Sequence, residues 1–567
     1  MSITQPGLEA GADIASLLAK AEAAGQAGQF EAARDAYADA LQAMAASEPP
    51  TSRVRALGGL GWTLRRMGNP AAALQWYEQA FATQRRTDPG NQVGMATLHT
   101  VIAEALMALG RFNEALAEHE AVLALGGSPD LSRAGTLAMA GEAAACAGRY
   151  GNALTHQNAA LAILHELLPP GDPHIADALS KLGYLLLQLD QWKAAEAVLR
   201  KAMGGVPGHN PVTANLIHVL VKQGRKEEAY ALAQEAYRQQ SFVVQTPPAN
   251  SAGTLLVLMA VDGNIPTEHL LPRLPLATVG WHLDFATAAH EARLPHYDAV
   301  LNVVGDADVG GAALRYAHAF QQRCAAPMLN DPARVLRTKR HMVGSLLASI
   351  PGLVTPRVVQ LTGAGLQADA ALEAHGLRFP VLLRAAGKHG GESVRRIEGA
   401  ADLAAAAAEL GPDAAVYLTQ YYEYASPDGL YRKYRAIFID RTPMPYHLAI
   451  SSNWLVHYFS AEMEHDDRVA EERAFLADMP GCLGPVATAA LGAIAQRLDL
   501  DYCGADFSLL PDGRVLLFES NATMLVHPEA PDSRHAGKNP FIDRILLAFE
   551  AMVMGRARLP SRVPAPA

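Results

Sequence analysis

Asp506-Phe507-Ser508-Leu509-Leu510-Pro511-Asp512-Gly513-Arg514-Val515-Leu516-Leu517-Phe518-Glu519-Ser520-Asn521 runs apolar, turns at Pro-Asp-Gly and runs apolar again. This is the pattern of a hairpin of two mostly buried strands. Three oxygen-bearing side chains stand at the strand ends: Asp506 on the first strand, Glu519 and Asn521 on the second. Residues two apart on an extended strand share a face, so Glu519 and Asn521 point the same way. Two carboxylates and an amide converging there suit Mg²⁺, a hard cation that takes oxygen ligands and shares them with nucleotide phosphates. The plain alternative is a hairpin whose polar residues sit in solvent.

The 567 residues exceed what one core holds and predict several domains. Half of the residues are hydrophobic, yet no apolar run approaches a membrane span, and residues 1–20 lack the basic start and apolar core of a signal peptide. The expectation is a soluble cytoplasmic protein with no membrane partner. Cys146, Cys324, Cys482 and Cys503 are scattered without CxxC spacing, which argues against a zinc knuckle or a disulfide framework. A net charge of −10 gives no general attraction to nucleic acid.

The N-terminal half repeats one phrase six times: a Gly-like residue, usually an aromatic two later, Ala five later and usually a small residue twelve later. It reads Gly28, Phe30, Ala33, Ala40, then Gly68, Pro70, Ala73, Ala80, then Gly110, Phe112, Ala115, Val122. It continues Gly148, Tyr150, Ala153, Ala160, then Asp190, Trp192, Ala195, Ala202, and ends Gly224, Lys226, Ala229, Ala236. The period of about 34 to about 42 residues matches helix pairs, with the glycine or aspartate at the turn and the alanines permitting close helix approach. This half resembles the tetratricopeptide repeat (TPR) family, which implies a helical solenoid over 12–242 that holds a peptide or protein partner. The other use of such an array is packing or dimerisation, which would make the chain a homodimer. Thr246-Pro247-Pro248-Ala249-Asn250 breaks the helical phase and places a linker at 243–252.

Beyond the linker, short apolar strands alternate with helices. Gly253–Met259 and Ala299–Val304 read as parallel strands, and Gly305-Asp306-Ala307-Asp308 follows the second at the end where open α/β sheets place ligands. No GxGxxG turn follows the first strand, which rules out a dinucleotide fold. Asn330-Asp331-Pro332 is a turn leading to a helix that carries Lys339, a point charge suited to phosphate or to solvent. Phe379–Arg384 is a strand tipped by a cation. It enters a Gly-rich segment with Lys388, Gly390 and Gly391, whose backbone can approach phosphate oxygens.

Ala415–Glu423 is a strand ending in Gln420, Tyr421, Tyr422 and Glu423, an edge able to receive a flat heterocycle. On the strand Tyr431–Asp440, Lys433 and Arg435 share a face that invites an anion. Between His447 and His465, Trp454, His457 and Tyr458 read as a substrate pocket or core, without metal-ligand spacing. Arg534, His535 and Lys538 read equally as carboxylate ligands or helix caps.

Taken in order, these features resemble the ATP-grasp superfamily over about 253–555, with the Asn-Asp-Pro…Arg-Thr-Lys stretch similar to glutathione-synthetase-type members. The resemblance implies a multidomain chain: the all-α TPR solenoid, an α/β domain at 253–330, an α+β ATP-grasp domain at 331–555 and a flexible tail at 556–567. It implies ATP and Mg²⁺ as cofactors, with Asp506, Glu519 and Asn521 on the metal. Lys339 and Arg384 would contact phosphates under the Gly-rich loop with Lys388. Gln420, Tyr421 and Tyr422 would frame adenine, with Glu423 or Asp428 on the ribose. Arg435, with Lys433 on the same face, would steady the transferring phosphoryl group. The second phosphate position, usually Lys in that family, is Arg384 here. The implied reaction is ATP-dependent joining of a carboxylate to an amine or thiol through an acylphosphate, giving ADP and phosphate. A nucleotide-sensing scaffold without turnover and an ATP-grasp kinase are the alternatives.

Overall fold

The computed structural model describes residues 14–45, 48–205, 210–245, 251–366, 370–386, 394–458, 461–530 and 533–559. The chain forms two compact units, one ending at Ala236 and one beginning at Tyr237.

In the first unit the helices described are α1 (Ile14–Gln26), α2 (Phe30–Ala43), α3 (Pro50–Arg66), α4 (Pro70–Thr87), α5 (Gln92–Ala108), α6 (Phe112–Ala124), α7 (Leu131–Cys146), α8 (Tyr150–Leu167), α9 (Pro173–Gln188), α10 (Trp192–Gly205), α11 (Asn210–Lys222) and α12 (Lys226–Ala236). They pack in consecutive pairs, each pair on the next. Every turn within a pair carries the phrase's first residue in the left-handed region, from Gly28 at φ 74° to Asp190 at φ 56° and Gly224 at φ 76°. The following amide then reaches back across the helix end, as Asn69 N–H does to the Leu64 carbonyl at 2.9 Å and Arg149 N–H to Ala144 at 2.8 Å. Ala33, Ala73, Ala115, Ala153, Ala195 and Ala229 are fully buried. Close approach also needs glycine: a Cβ on Gly61 would sit 2.7 Å from the Tyr77 ring, and one on Gly183 2.5 Å from Leu199. At the last place of the phrase Ala40, Ala80, Ala160 and Ala202 are buried, whereas Val122 is half-buried and Ala236 exposed.

The strands of the second unit are β1 (Phe242–Val244), β2 (Thr254–Met259), β3 (Ala277–His282), β4 (Ala299–Asn302), β5 (Met328–Leu329), β6 (Leu353–Val354), β7 (Val358–Thr362), β8 (Val381–Ala385), β9 (Arg395–Ile397), β10 (Ala415–Gln420), β11 (Tyr431–Ile439), β12 (Thr442–Ser451), β13 (Tyr502–Leu509) and β14 (Val515–Asn521). They make three sheets, ordered β1-β3-β2-β4-β5, β7-β10-β8-β9 and β12-β11-β13-β14-β6. The β2, β3, β4 and β5 pairings are parallel, as their apolar runs predict. The four-stranded sheet is antiparallel and has its own core around Leu366, Val381, Leu383 and Leu403. One larger core joins the first and third sheets, including Trp281, Phe438, Tyr502 and Phe549.

Three expected boundaries fall differently. Residues 243 and 244, expected in the linker, lie in β1, which pairs antiparallel with β3. Beside it the buried Ser241 hydroxyl accepts the Trp281 indole N–H at 3.0 Å. Residues 246–250 of that linker lie outside the described residues. The division at 330/331 crosses a tight clamp: Asn330, fully buried at φ 55°, accepts the Tyr502 N–H at 2.8 Å and donates to the Tyr502 carbonyl at 3.0 Å. The expected tail at 556 begins as the end of the helix Asn539–Arg556, where Arg556 pairs with Asp440 at 2.7 Å and Leu559 packs on the core. Residues 560–567 lie outside the described residues.

Among the described residues no single helix is long and apolar enough to cross a membrane. The helices Asp466–Ala477 and Met479–Leu498 would be so only together; they bend by 62° and bury Phe475, Leu491 and Ile494 in the large core.

Candidate functional site

The hairpin is β13 and β14, turning at Gly513 with φ 81°. Its register puts Asp506 directly opposite Glu519 and Gly504 opposite Asn521, so the three polar residues share a face. The face extends sideways, because Arg435 of β11 lies opposite Asp506 and His447 of β12 opposite Arg435. His447, Arg435, Asp506 and Glu519 thus form one polar row across four strands. A register shift flanks the row on each side: Phe518 is the extra residue between Leu517 and Glu519, and Tyr446 the extra residue between Pro445 and His447. Bulges of this kind re-aim side chains next to a site.

Cations surround the carboxylates. Arg435 grips Asp506 with two N–H groups at 2.5 and 2.9 Å, and Lys433 Nζ lies 2.8 Å from the same carboxylate. Burial alone would raise the Asp506 carboxyl, but Arg435 and Lys433 outweigh it and hold the group well below the usual carboxylate range. Glu519 meets Arg340 at 2.9 Å. There too burial opposes ionisation, and Arg340 with the more distant Arg384 lowers Glu519 to about 2. Arg384 is itself shifted down, by burial first and then by its neighbour Arg340. The Asn521 amide donates to Glu519 at 2.6 Å and its oxygen accepts from Thr523 N–H at 2.9 Å.

A cavity opens over this face, lined by Glu519, Asn521, Arg340, Asp306, Asp308 and, from the four-stranded sheet, Thr419. Tyr417, opposite Arg384 across β10 and β8, is pushed up to about 12 by burial and by Asp308. The side-chain oxygens at 506, 519 and 521 are of the kind Mg²⁺ takes, and Arg340, Lys433 and Arg435 stand within ion-pair distance of the two carboxylates. Among the described residues no group of three or more His, Cys, Asp or Glu side chains could hold a metal ion.

The remaining expected residues are placed as follows. Lys339 stands just before the helix Arg340–Leu347 rather than within a helix, because the chain breaks after Pro332–Leu336. Its neighbour Arg340 is the cation that reaches Glu519. Gln420 is committed to backbone: it accepts from Arg378 N–H at 2.9 Å and donates to the Arg378 carbonyl at 2.9 Å. Tyr421 donates to Glu423 at 3.0 Å beneath the Arg396 guanidinium, which lies 4.2 Å from its ring. Glu423 also accepts from Tyr424 and Ala425 N–H at 3.0 Å each. Tyr422 is exposed. Asp428 pairs with Arg432 at 2.8 Å. Lys388, Gly390 and Gly391 lie outside the described residues.

Farther along the face, Lys538 is 2 % exposed and donates to the Tyr458 hydroxyl at 2.7 Å and to Glu529 at 3.1 Å, with Glu472 3.6 Å away. Arg534 instead pairs with Asp466 at 2.9 Å. Arg340, and the carboxylates Glu472 and Glu529 that surround the expected Lys538, are not among the residues expected from sequence. The basic run Lys339-Arg340-His341 is the available sign of the first; the grouping of the others joins residues far apart in the chain and has no local sign.

The tetratricopeptide repeat family model matches residues 13–86. No curated protein matches the chain. Among solved structures it is similar to MamA, at 19 % identity over 32 % of this chain and 93 % of that one, with a TM-score of 0.26. It is also similar to the nearly identical TPR-like repeats of a Podosopora anserina putative kinesin light chain, at 20 % identity over 34 % and 94 %, with a TM-score of 0.29. A third is YrrB, described as a TPR protein with an unusual peptide-binding site, at 16 % identity over 36 % and 92 %, with a TM-score of 0.28. The N-terminal region carries tetratricopeptide repeats, on the family match and the helix-turn geometry together, and a mixed α/β region follows.

Proposed function

We propose that the second unit is an ATP-dependent ligase of the ATP-grasp type, joining a carboxylate to an amine or thiol, and that the repeat array recruits its peptide, carrier or protein partner. The observation that carries this reading is the face on which Asp506, Glu519 and Asn521 converge, with Arg340, Lys433 and Arg435 within ion-pair distance. ATP with Mg²⁺ would supply the phosphoryl group and neutralise part of its charge. Asp506, Glu519 and Asn521 would hold the metal. Arg340 and Arg384 would take phosphate oxygens, while Arg435, fixed by the Asp506 carboxylate and the sheet, would stabilise negative charge that develops during transfer. Repeat arrays present extended concave surfaces, which suits recruitment of a chain.

The test is to incubate the full chain with ATP, Mg²⁺ and candidate carboxylates and amines and to follow nucleotide products by ³¹P NMR. ADP and phosphate are expected; AMP and pyrophosphate would refute the acylphosphate route. One observation favours a second reading, a nucleotide-sensing scaffold without turnover: Asp506 and Glu519 are already neutralised by protein cations. That reading predicts nucleotide binding with no ADP formed under any substrate mixture.

A further inference from the structure

On the β11 and β12 side of the polar row lies a second pocket, walled by Lys433, Arg435, Tyr446, His447, Tyr458 and Lys538. Its wall is rich in hydrogen-bond donors and rings. The carboxylates that balance the cations, Asp506, Glu472 and Glu529, are not part of the lining among the described residues. A site built this way presents cations without carboxylates and favours a ligand that brings anionic oxygen.

His447 adds a second, independent feature. It is 4 % exposed, its ring packs 4.6 Å from that of Tyr458, and its Nδ1 has no hydrogen-bond partner among the described residues. Burial, then Arg435 and Lys538, disfavour the charged imidazole. Buried polar atoms are nearly always partnered, so an unmatched nitrogen in a ring that lines a pocket points to an unfilled hydrogen-bonding position beside it.

We infer that this pocket binds a small carboxylic acid bearing an adjacent hydroxyl or amine, with the carboxylate at Lys433 and Arg435 and the second group at the His447 ring. Its place beside Asp506 rests on the ligase reading only for the use of that carboxylate as acyl donor; binding itself requires the pocket alone. His447 is then a specificity-determining residue.

Propionate, lactate and alanine share one skeleton and differ only in bearing hydrogen, hydroxyl or amine, so they are the probes, with orthophosphate as the competing oxyanion. Saturation-transfer and titration NMR on the full chain should show lactate or alanine binding about tenfold tighter than propionate. His447→Phe should erase that preference while propionate still binds, and Lys433→Met should weaken all three. His447→Gln, which keeps a polar atom, should restore part of the preference and guards against a misfolded Phe variant. Equal binding of the three acids, absence of saturable binding, or binding of orthophosphate alone would overturn the proposal. MgADP binding measured alongside separates the readings. Acids bound without nucleotide would sink the ligase and leave the pocket; nucleotide bound without acids would do the reverse.

Discussion

Glu519 faces Asp506 directly across β13 and β14, yet the two carboxylates are held by different cations: Arg340 grips the first at 2.9 Å, Arg435 and Lys433 the second. Two like charges opposite each other on a sheet repel. The arrangement persists because the neutralising groups come from separate elements, a helix start on one side and β11 on the other. A divalent cation is the other way to satisfy such a pair.

Glu519→Ala should lower ADP formation by a factor on the order of 10² to 10³, because losing a ligand of the metal removes charge stabilisation that the metal would supply in the transition state. Steady-state turnover with a coupled ADP assay is the check. Repeat-array binding to a captured partner should be unchanged, since Glu519 lies in the other unit.

Arg435→Met should destabilise the second unit by about 3 to 5 kcal/mol, because it leaves the buried Asp506 without its bidentate partner. Lys433→Met removes a single contact and should cost less. Urea unfolding of both variants, followed by Trp fluorescence, gives the comparison.

Acid should act through the same pair. Glu519 is lowered to about 2 in the folded protein, against about 4.3 for a free glutamate. A depressed carboxylate contributes stability that is complete above the unfolded value and is lost as pH falls toward the folded one. The Glu519 contribution, on the order of 3 kcal/mol at most, should therefore be full above about pH 5 and decline toward pH 2. In Glu519→Gln the stability profile over that window should be flatter than in the wild type; equal slopes would contradict the assignment.

In the repeat array, Gly61→Ala should cost about 1 to 3 kcal/mol, because the new methyl would lie 2.7 Å from the buried Tyr77 ring and 3.2 Å from the Ala73 carbonyl. Gly58→Ala, where a Cβ meets nothing within 4 Å, should be neutral or stabilising in the same thermal melt.

What can be read from sequence is local. The repeat phrase encodes a helix end closed by one left-handed residue, and the Pro-Asp-Gly turn fixes the neighbours of β13 and β14 as far as Phe507 and Leu517, short of the bulge that brings Glu519 opposite Asp506. The polar row cannot be read that way, because Arg435 and Asp506 are 71 residues apart and the bulges at Phe518 and Tyr446 leave no periodic trace. The choice between Lys339 and Arg340 depends on where a helix starts, which shifts by a residue or two for reasons outside the segment. A three-residue edge strand such as β1 has too few positions to show alternation, so it reads as linker. Lys538 finds Glu472 and Glu529 only once the sheet and the last helix have met.

On the proposed reading, Asp506, Glu519 and Asn521 hold a metal that anchors a nucleotide. Calorimetric titration of the full chain with a non-hydrolysable ATP analogue, with Mg²⁺ and then with EDTA, tests it most directly. Saturable one-to-one binding that requires Mg²⁺ and is lost in Glu519→Ala is expected; no binding, or binding unchanged by EDTA and by that substitution, would contradict the metal assignment.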